Sequence, residues 1–148
     1  IKKEIPVLII SVEKNKKDHI KELHEAICRV KETDGIKMIL YVEHTVDAND
    51  LATALWRFCN NLDPKRDNFL SQRTAANGHR IACIGFDGTR KTKELDNFHR
   101  DWPNIIVAGD ETIKAVDDKW EALGIGKFIP SPSLKFKEQL YGESAVSL

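Results

Sequence analysis

The sequence predicts an α/β fold: a three-layer α/β/α sandwich on a mostly parallel four-stranded sheet, with an extended C-terminal tail. Residues 5–12, IPVLIISV, and 36–42, IKMILYV, are short continuous apolar runs rich in β-branched side chains. That is the pattern of strands buried on both faces. Between them, residues 16–31 place Ile20, Leu23, Ile27 and Val30 at helical spacing, with charges elsewhere. This completes a βαβ unit, which favours parallel strands and a right-handed crossover. At 148 residues the chain has the length of one domain with one sizeable core.

Asp34-Gly35 ends the first helix and leads into the second strand. Asp47 is expected to cap the next helix, with Asp50 completing an acidic first turn. Leu51, Leu55 and Phe58 form the expected inward stripe of that helix; Ala52, Trp56 and Cys59 widen it, so Trp56 is assigned to the core. Pro64 stops the helical run. Residues 68–79 are polar, contain Asn77-Gly78 and read as a loop; 80–86 read as a third strand and 104–108 as a fourth. Asp110 is expected to cap a last helix with Ile113, Val116, Trp120 and Leu123 inward, ended by Gly124. Pro130 and Pro132 open the tail, so the expected division is an α/β domain at 1–130 and an arm at 131–148. The arm's Leu134, Phe136, Leu140, Tyr141, Val146 and Leu148 suit docking on another surface.

Lys plus Arg and Asp plus Glu both number 23, so no global field points to nucleic acid or an anionic membrane. No apolar run reaches the roughly 18–20 residues of a membrane span, and no signal peptide is visible; a cytoplasmic location is expected. The sequence begins at Ile1 and reads as part of a longer protein. Cys28, Cys59 and Cys83 form no C-x-x-C pair and are expected to be inert buried thiols. The histidines show no metal-ligand spacing, so no metal site is predicted. His24 reads as a helix-boundary side chain and His44, beside Glu43, as a solvated turn residue.

Acidic residues gather at the ends of elements: Glu43, Asp47, Asp50, Asp63, Asp67 and Asp87. In open parallel sheets ligands sit beyond the carboxyl ends of strands, where Glu43 and Asp87 should emerge. These carboxylates suit a metal or acid/base site, or simply helix caps and turn braces. Arg66 could fork between Asp63 and Asp67. Gly85-Phe-Asp-Gly88 follows a strand but is not G-x-G-x-x-G, and no G-x-S-x-G is present. The residues by themselves display no catalytic apparatus.

Four fragments in order carry a family resemblance: the strand end and acidic turn at 42–47, Trp56-Arg57, Asp63-Pro64-Lys65-Arg66-Asp67, and Asp87-Gly88-Thr89-Arg90-Lys91. Together they resemble the C-terminal domain of the UbiD decarboxylases, over about residues 5–129. The ending, 117–133, looks like menaquinone-pathway members. Glu43-His44 stands where the family usually has further aspartates, and Gly88 replaces the usual Ala.

The resemblance implies a non-oxidative carboxy-lyase acting on an aromatic or unsaturated acid, in ubiquinone or menaquinone biosynthesis. Its cofactor would be prenylated FMN with Mn²⁺ and K⁺, held by upstream flavin-binding and central domains of the same polypeptide. No Glu-Arg-Glu set matches here, so no catalytic residue and no bound cofactor are expected in this chain. It would instead supply a wall of the substrate cavity and contacts in a homo-oligomer. Asp63, Arg66, Asp67, Asp87, Thr89 and Lys91 are the structural or cavity-wall candidates, and the stretch 68–79 is expected to face that cavity. A stand-alone Rossmann-like nucleotide or small-molecule binding module is the alternative.

Overall fold

A computed structural model describes residues 5–74, 78–99 and 105–141, and the backbone of 146–147. The chain forms two compact units, Ile1–Trp102 and Pro103–Leu148.

The first unit holds the α/β core. Strand β1 (Val7–Val12) is followed by α1 (His19–Ile27), β2 (Met38–Glu43), α2 (Leu51–Asn61), β3 (Asn68–Thr74), β4 (Arg80–Asp87) and the short α3 (Lys93–Asp96). The sheet order is β1-β2-β4-β3, with β1, β2 and β4 parallel and β3 antiparallel to β4. The alternation of β2 sends successive side chains to opposite faces. Ile39 and Tyr41 pack with Ile20, Cys28 and Cys83 under α1; Leu40 and Val42 pack with Ala54 and Phe58 under α2. Helices therefore cover both faces, as expected. Each fully buried aliphatic side chain contributes about 1.5–3 kcal/mol.

The fourth strand is not the one expected. Residues 68–74 form an edge strand of the sheet, whereas Val107–Ala108 (β5) pairs with Val146–Ser147 (β6) in a separate two-stranded ladder. Half-buried Phe69, Ser71 and Arg73 alternate with exposed residues along β3. An edge strand with one wet face carries mostly polar side chains, and for that reason it looked like a loop. Residues 75–77 of the expected loop lie outside the described residues; Gly78 has φ 81.

Helix α2 starts later than expected and turns the other way. Asp50, not Asp47, is its N-cap, accepting from the Thr53 backbone N–H at 3.2 Å. Asp47 closes the preceding turn by accepting from the Asn49 backbone N–H. Thr53, Ala54, Arg57, Phe58 and Asn61 face inward. Leu51, Leu55 and Trp56, assigned to the core by periodicity, are 57%, 39% and 44% exposed. Cys59 is exposed too, so only Cys28 and Cys83 are the buried thiols expected.

The second unit contains β5, α4 (Asp110–Asp117), α5 (Trp120–Leu123), α6 (Ser133–Phe136) and β6. Gly109, not Asp110, is the N-cap of α4, and Asp110 pairs with Lys137. Ile113 is buried, but Val116 and Leu123 are exposed. Trp120 is half-buried, donates its indole N–H to the Gly126 carbonyl and meets Phe128 edge-on at 5.6 Å. Gly124 ends α5 at φ 61, as expected. The segment expected to be an arm does not prolong α5. Its Ser133 hydroxyl accepts from the Ala108 N–H, and 146–147 complete the small ladder. Leu148 lies outside the described residues. No helix among the described residues is long and apolar enough to cross a membrane.

Candidate functional site

Two fragments far apart in sequence meet at the carboxyl end of β4. The turn after α2 delivers Asp63, Arg66 and Asp67, and β4 runs out into Asp87, Thr89 and Lys91. The Asp87 N–H donates to the Asp67 carbonyl at 2.8 Å, which locks the two together.

Asp67 is buried and accepts two parallel bonds from Arg66, Nε to Oδ1 at 2.6 Å and Nη2 to Oδ2 at 2.7 Å. The guanidinium thus grips one carboxylate, not a fork between two. Asp63 instead accepts from the Lys65 and Arg66 backbone N–H groups, which hold its carboxyl below the usual range. The Asp67 carboxylate, paired with Arg66, holds that guanidinium's pKa up. Asp87 accepts from the Thr89 backbone N–H at 2.9 Å and from the Thr89 hydroxyl. Lys91 reaches back to the Asp87 and Thr89 carbonyls at 2.6 and 2.9 Å, with the Asp87 and Asp67 carboxylates at 3.2 and 3.7 Å. Burial lowers its pKa against the pull of both carboxylates.

Sequence reasoning missed two members. Lys14, just past β1, donates to Asp96 at 2.7 Å and to the Arg90 carbonyl at 3.0 Å, and lies 3.8 Å from Asp87. Asp96 also accepts from the Thr92 N–H. Lys14 is the first of three lysines at 14–17, so nothing local singles it out. With Arg66, Asp67, Asp87 and Lys91, these two help line a cavity of about 440 Å³. Asp63 and Thr89 are not among its lining residues; they shape the turns behind the wall.

A second buried cluster sits beneath. Glu43 accepts from Arg57 Nη2, from Asn61 Nδ2 at 2.9 Å and from the Arg90 N–H at 3.1 Å, while Asn61 also donates to the Gly88 carbonyl at 3.0 Å. Glu43 is therefore a brace between β2, α2 and the turn after β4, and His44 beside it is exposed as expected. The carboxylates of both clusters are engaged by cations or N–H groups. Together they build a charged wall held by these contacts.

The two glycines of Gly85-Phe-Asp-Gly88 serve packing. A Cβ on Gly88 would stand 2.4 Å from Phe58 Cδ2 and 2.9 Å from the Tyr41 carbonyl oxygen. Phe58 thus occupies the space an alanine methyl would need. Gly88→Ala is expected to cost about 1–3 kcal/mol through overpacking, with only part of the loss recovered when Phe58→Leu is added, because the Tyr41 carbonyl oxygen still faces the new methyl. Denaturant midpoints of the two variants check this; a Gly88→Ala protein as stable as the parent would show that Phe58 yields freely.

Residues 4–91 match the model of the UbiD family, the 3-octaprenyl-4-hydroxybenzoate carboxy-lyase C-terminal domain. The match ends at Lys91, before Asp96 of the charged cluster. An uncharacterized protein of Helicobacter pylori is 32% identical over 115 residues, covering 77% of this chain and 17% of that protein. One of Aquifex aeolicus is 31% identical over 96 residues, 60% of this chain and 20% of its own length. The chain thus spans about a fifth of the relatives it matches. Among solved structures, the open form of Sedimentibacter hydroxybenzoicus vanillic acid decarboxylase superposes with TM-score 0.59 at 15% identity, over 78% of this chain and 26% of that one. That likeness establishes the fold.

Proposed function

The chain belongs to the UbiD family, as a 3-octaprenyl-4-hydroxybenzoate carboxy-lyase C-terminal domain, and from that premise we propose that it works inside a larger non-oxidative decarboxylase. In this reading it supplies a cavity wall and docking contacts, and the bond-breaking residues lie elsewhere in the polypeptide. The substrate is an aromatic or unsaturated acid, in keeping with the vanillic acid named for the Sedimentibacter relative, and a quinone precursor is the favoured case. The enzyme is cytoplasmic, meeting the membrane only through a lipophilic substrate.

Prenylated FMN with Mn²⁺ and K⁺ would supply the decarboxylation chemistry. The residues here do not fit that group. Gly85 and Gly88 are filled by His24 and Phe58 and cannot cradle a phosphate. The 440 Å³ cavity is lined mostly by charged side chains, Lys14–Asp96 and Lys91–Asp87 paired among them, with Ile20, Phe69 and Leu95 as its apolar members, and it offers no continuous apolar slot for a flavin ring. The same packing removes the support for a stand-alone nucleotide-binding module. The wall is assigned to 63–67 and 87–91, and of the expected loop 68–74 are an edge strand whose Phe69 lines the same cavity.

One observation carries the docking part of this reading: α2 exposes its more apolar side. Leu51, Ala52, Leu55, Trp56 and Cys59 face out while Arg57 and Asn61 face in. Water gives no reason for that arrangement, whereas a covering surface does. The assigned occupant is the remaining polypeptide, because relatives are roughly three to four and a half times as long as this chain. The segment 131–148 is assigned to subunit contacts.

Alkylation of Cys59 in the intact protein tests the assignment. Slow labelling, accelerated by Trp56→Asp together with a loss of CO₂ release, is expected. Labelling at the rate of a free surface thiol would overturn it.

A further inference from the structure

On the α1 face of the sheet, away from the charged wall, three metal-ligating side chains converge that no local motif announces. His24 and Cys28 are one turn apart on α1, and Cys83 lies opposite on β4; all three are buried. One ligand atom from each lies within 4.8 Å of both others. We propose that His24, Cys28 and Cys83 form a binding site for a thiophilic dication of the zinc class, linking α1 to β4.

The spacing matches the ion. A tetrahedral zinc with Zn–S near 2.3 Å and Zn–N near 2.05 Å sets its sulfur and nitrogen ligands roughly 3.6 Å apart. Cys28 Sγ lies 3.6 Å from His24 Nε2. The other ring nitrogen, Nδ1, is 3.1 Å from the Tyr41 hydroxyl, the kind of outer partner that fixes a ligating imidazole. The ring is also held from behind. Only a glycine at 85 leaves room for it, since a Cβ there would stand 2.5 Å from Nδ1.

Charge and space agree with a soft dication. Two thiolates neutralise it, so the core would gain no net charge, and the hard cations that prefer oxygen find no carboxylate in this ligand set. A void of about 10 Å³ adjoins Cys28 and Cys83, enough for about one water-sized fourth ligand. The site does not rest on the decarboxylase reading, because none of its three residues lines the 440 Å³ cavity.

Cobalt(II) and zinc titrations of the intact protein, in a Cys59→Ser background, test the proposal. Thiolate-to-cobalt charge-transfer absorption saturating at one equivalent, displaced by zinc and lost in Cys28→Ser/Cys83→Ser, is expected. No such absorption, or absorption unchanged in the double variant, overturns it. Should the double variant fail to fold, zinc-edge X-ray absorption of the parent decides. Two sulfurs per zinc support the site, and a shell of nitrogen and oxygen alone overturns it.

Discussion

Replacing Arg57 by alanine is expected to lower stability by about 3–5 kcal/mol, the cost of leaving a buried charge without its partner. The carboxylate left behind is Glu43, 4% exposed at the end of β2. It would keep the Asn61 amide and the Arg90 N–H but lose its only cationic partner among the described residues. Glu43→Ala should cost a similar amount from the other side, because Arg57 is equally buried. The double variant should lose less than the sum of the two, since neither orphaned charge remains. Denaturant unfolding of the four proteins gives the coupling directly. A loss below about 1 kcal/mol in Arg57→Ala would place the pair with solvated surface bridges.

This brace also marks where the sequence was legible. β2 is buried on both faces, and half-buried β1 packs Leu8, Ile10 and Val12 on one face and Ile9 on the other, so both strands and the helix between them could be read at once. α2 misled for a physical reason. Periodicity reports an apolar face but not whether protein core or another surface covers it, and here Leu55 and Trp56 point out while Arg57 points in. β3 was missed because one of its faces is exposed, which leaves only Phe69, Ser71 and Arg73 partly covered. The candidate residues at 63–67 and 87–91 were found through family motifs, and the fold does bring them together. Lys14 and Asp96 were not found, because 82 residues separate them and no local pattern encodes such a pairing. The His24–Cys28 spacing was present in the sequence, but its third member depends on the sheet placing β4 beneath α1.

Lys91→Met should cost about 3 kcal/mol at neutral pH, the low end for breaking a buried ion pair. The low end applies because the carboxylates keep other partners: Asp67 retains Arg66, and Asp87 retains Thr89 and the more distant Lys14. What the variant loses outright is the ammonium that closes the turn through the Asp87 and Thr89 carbonyls, which no methionine can bond. The pH dependence separates this from a simple packing defect. Burial depresses the folded pKa of Lys91 below its unfolded value of about 10.4. Between the two values the unfolded chain binds more protons, so this group makes stability rise with pH across that alkaline window and contributes no slope below it. Lys91→Met should remove that rise. Stability measured by denaturant unfolding at stepped pH, parent against variant, reads the difference. Equal alkaline slopes in the two proteins would mean that the ammonium is hydrated in the folded state and that the wall does not depend on it.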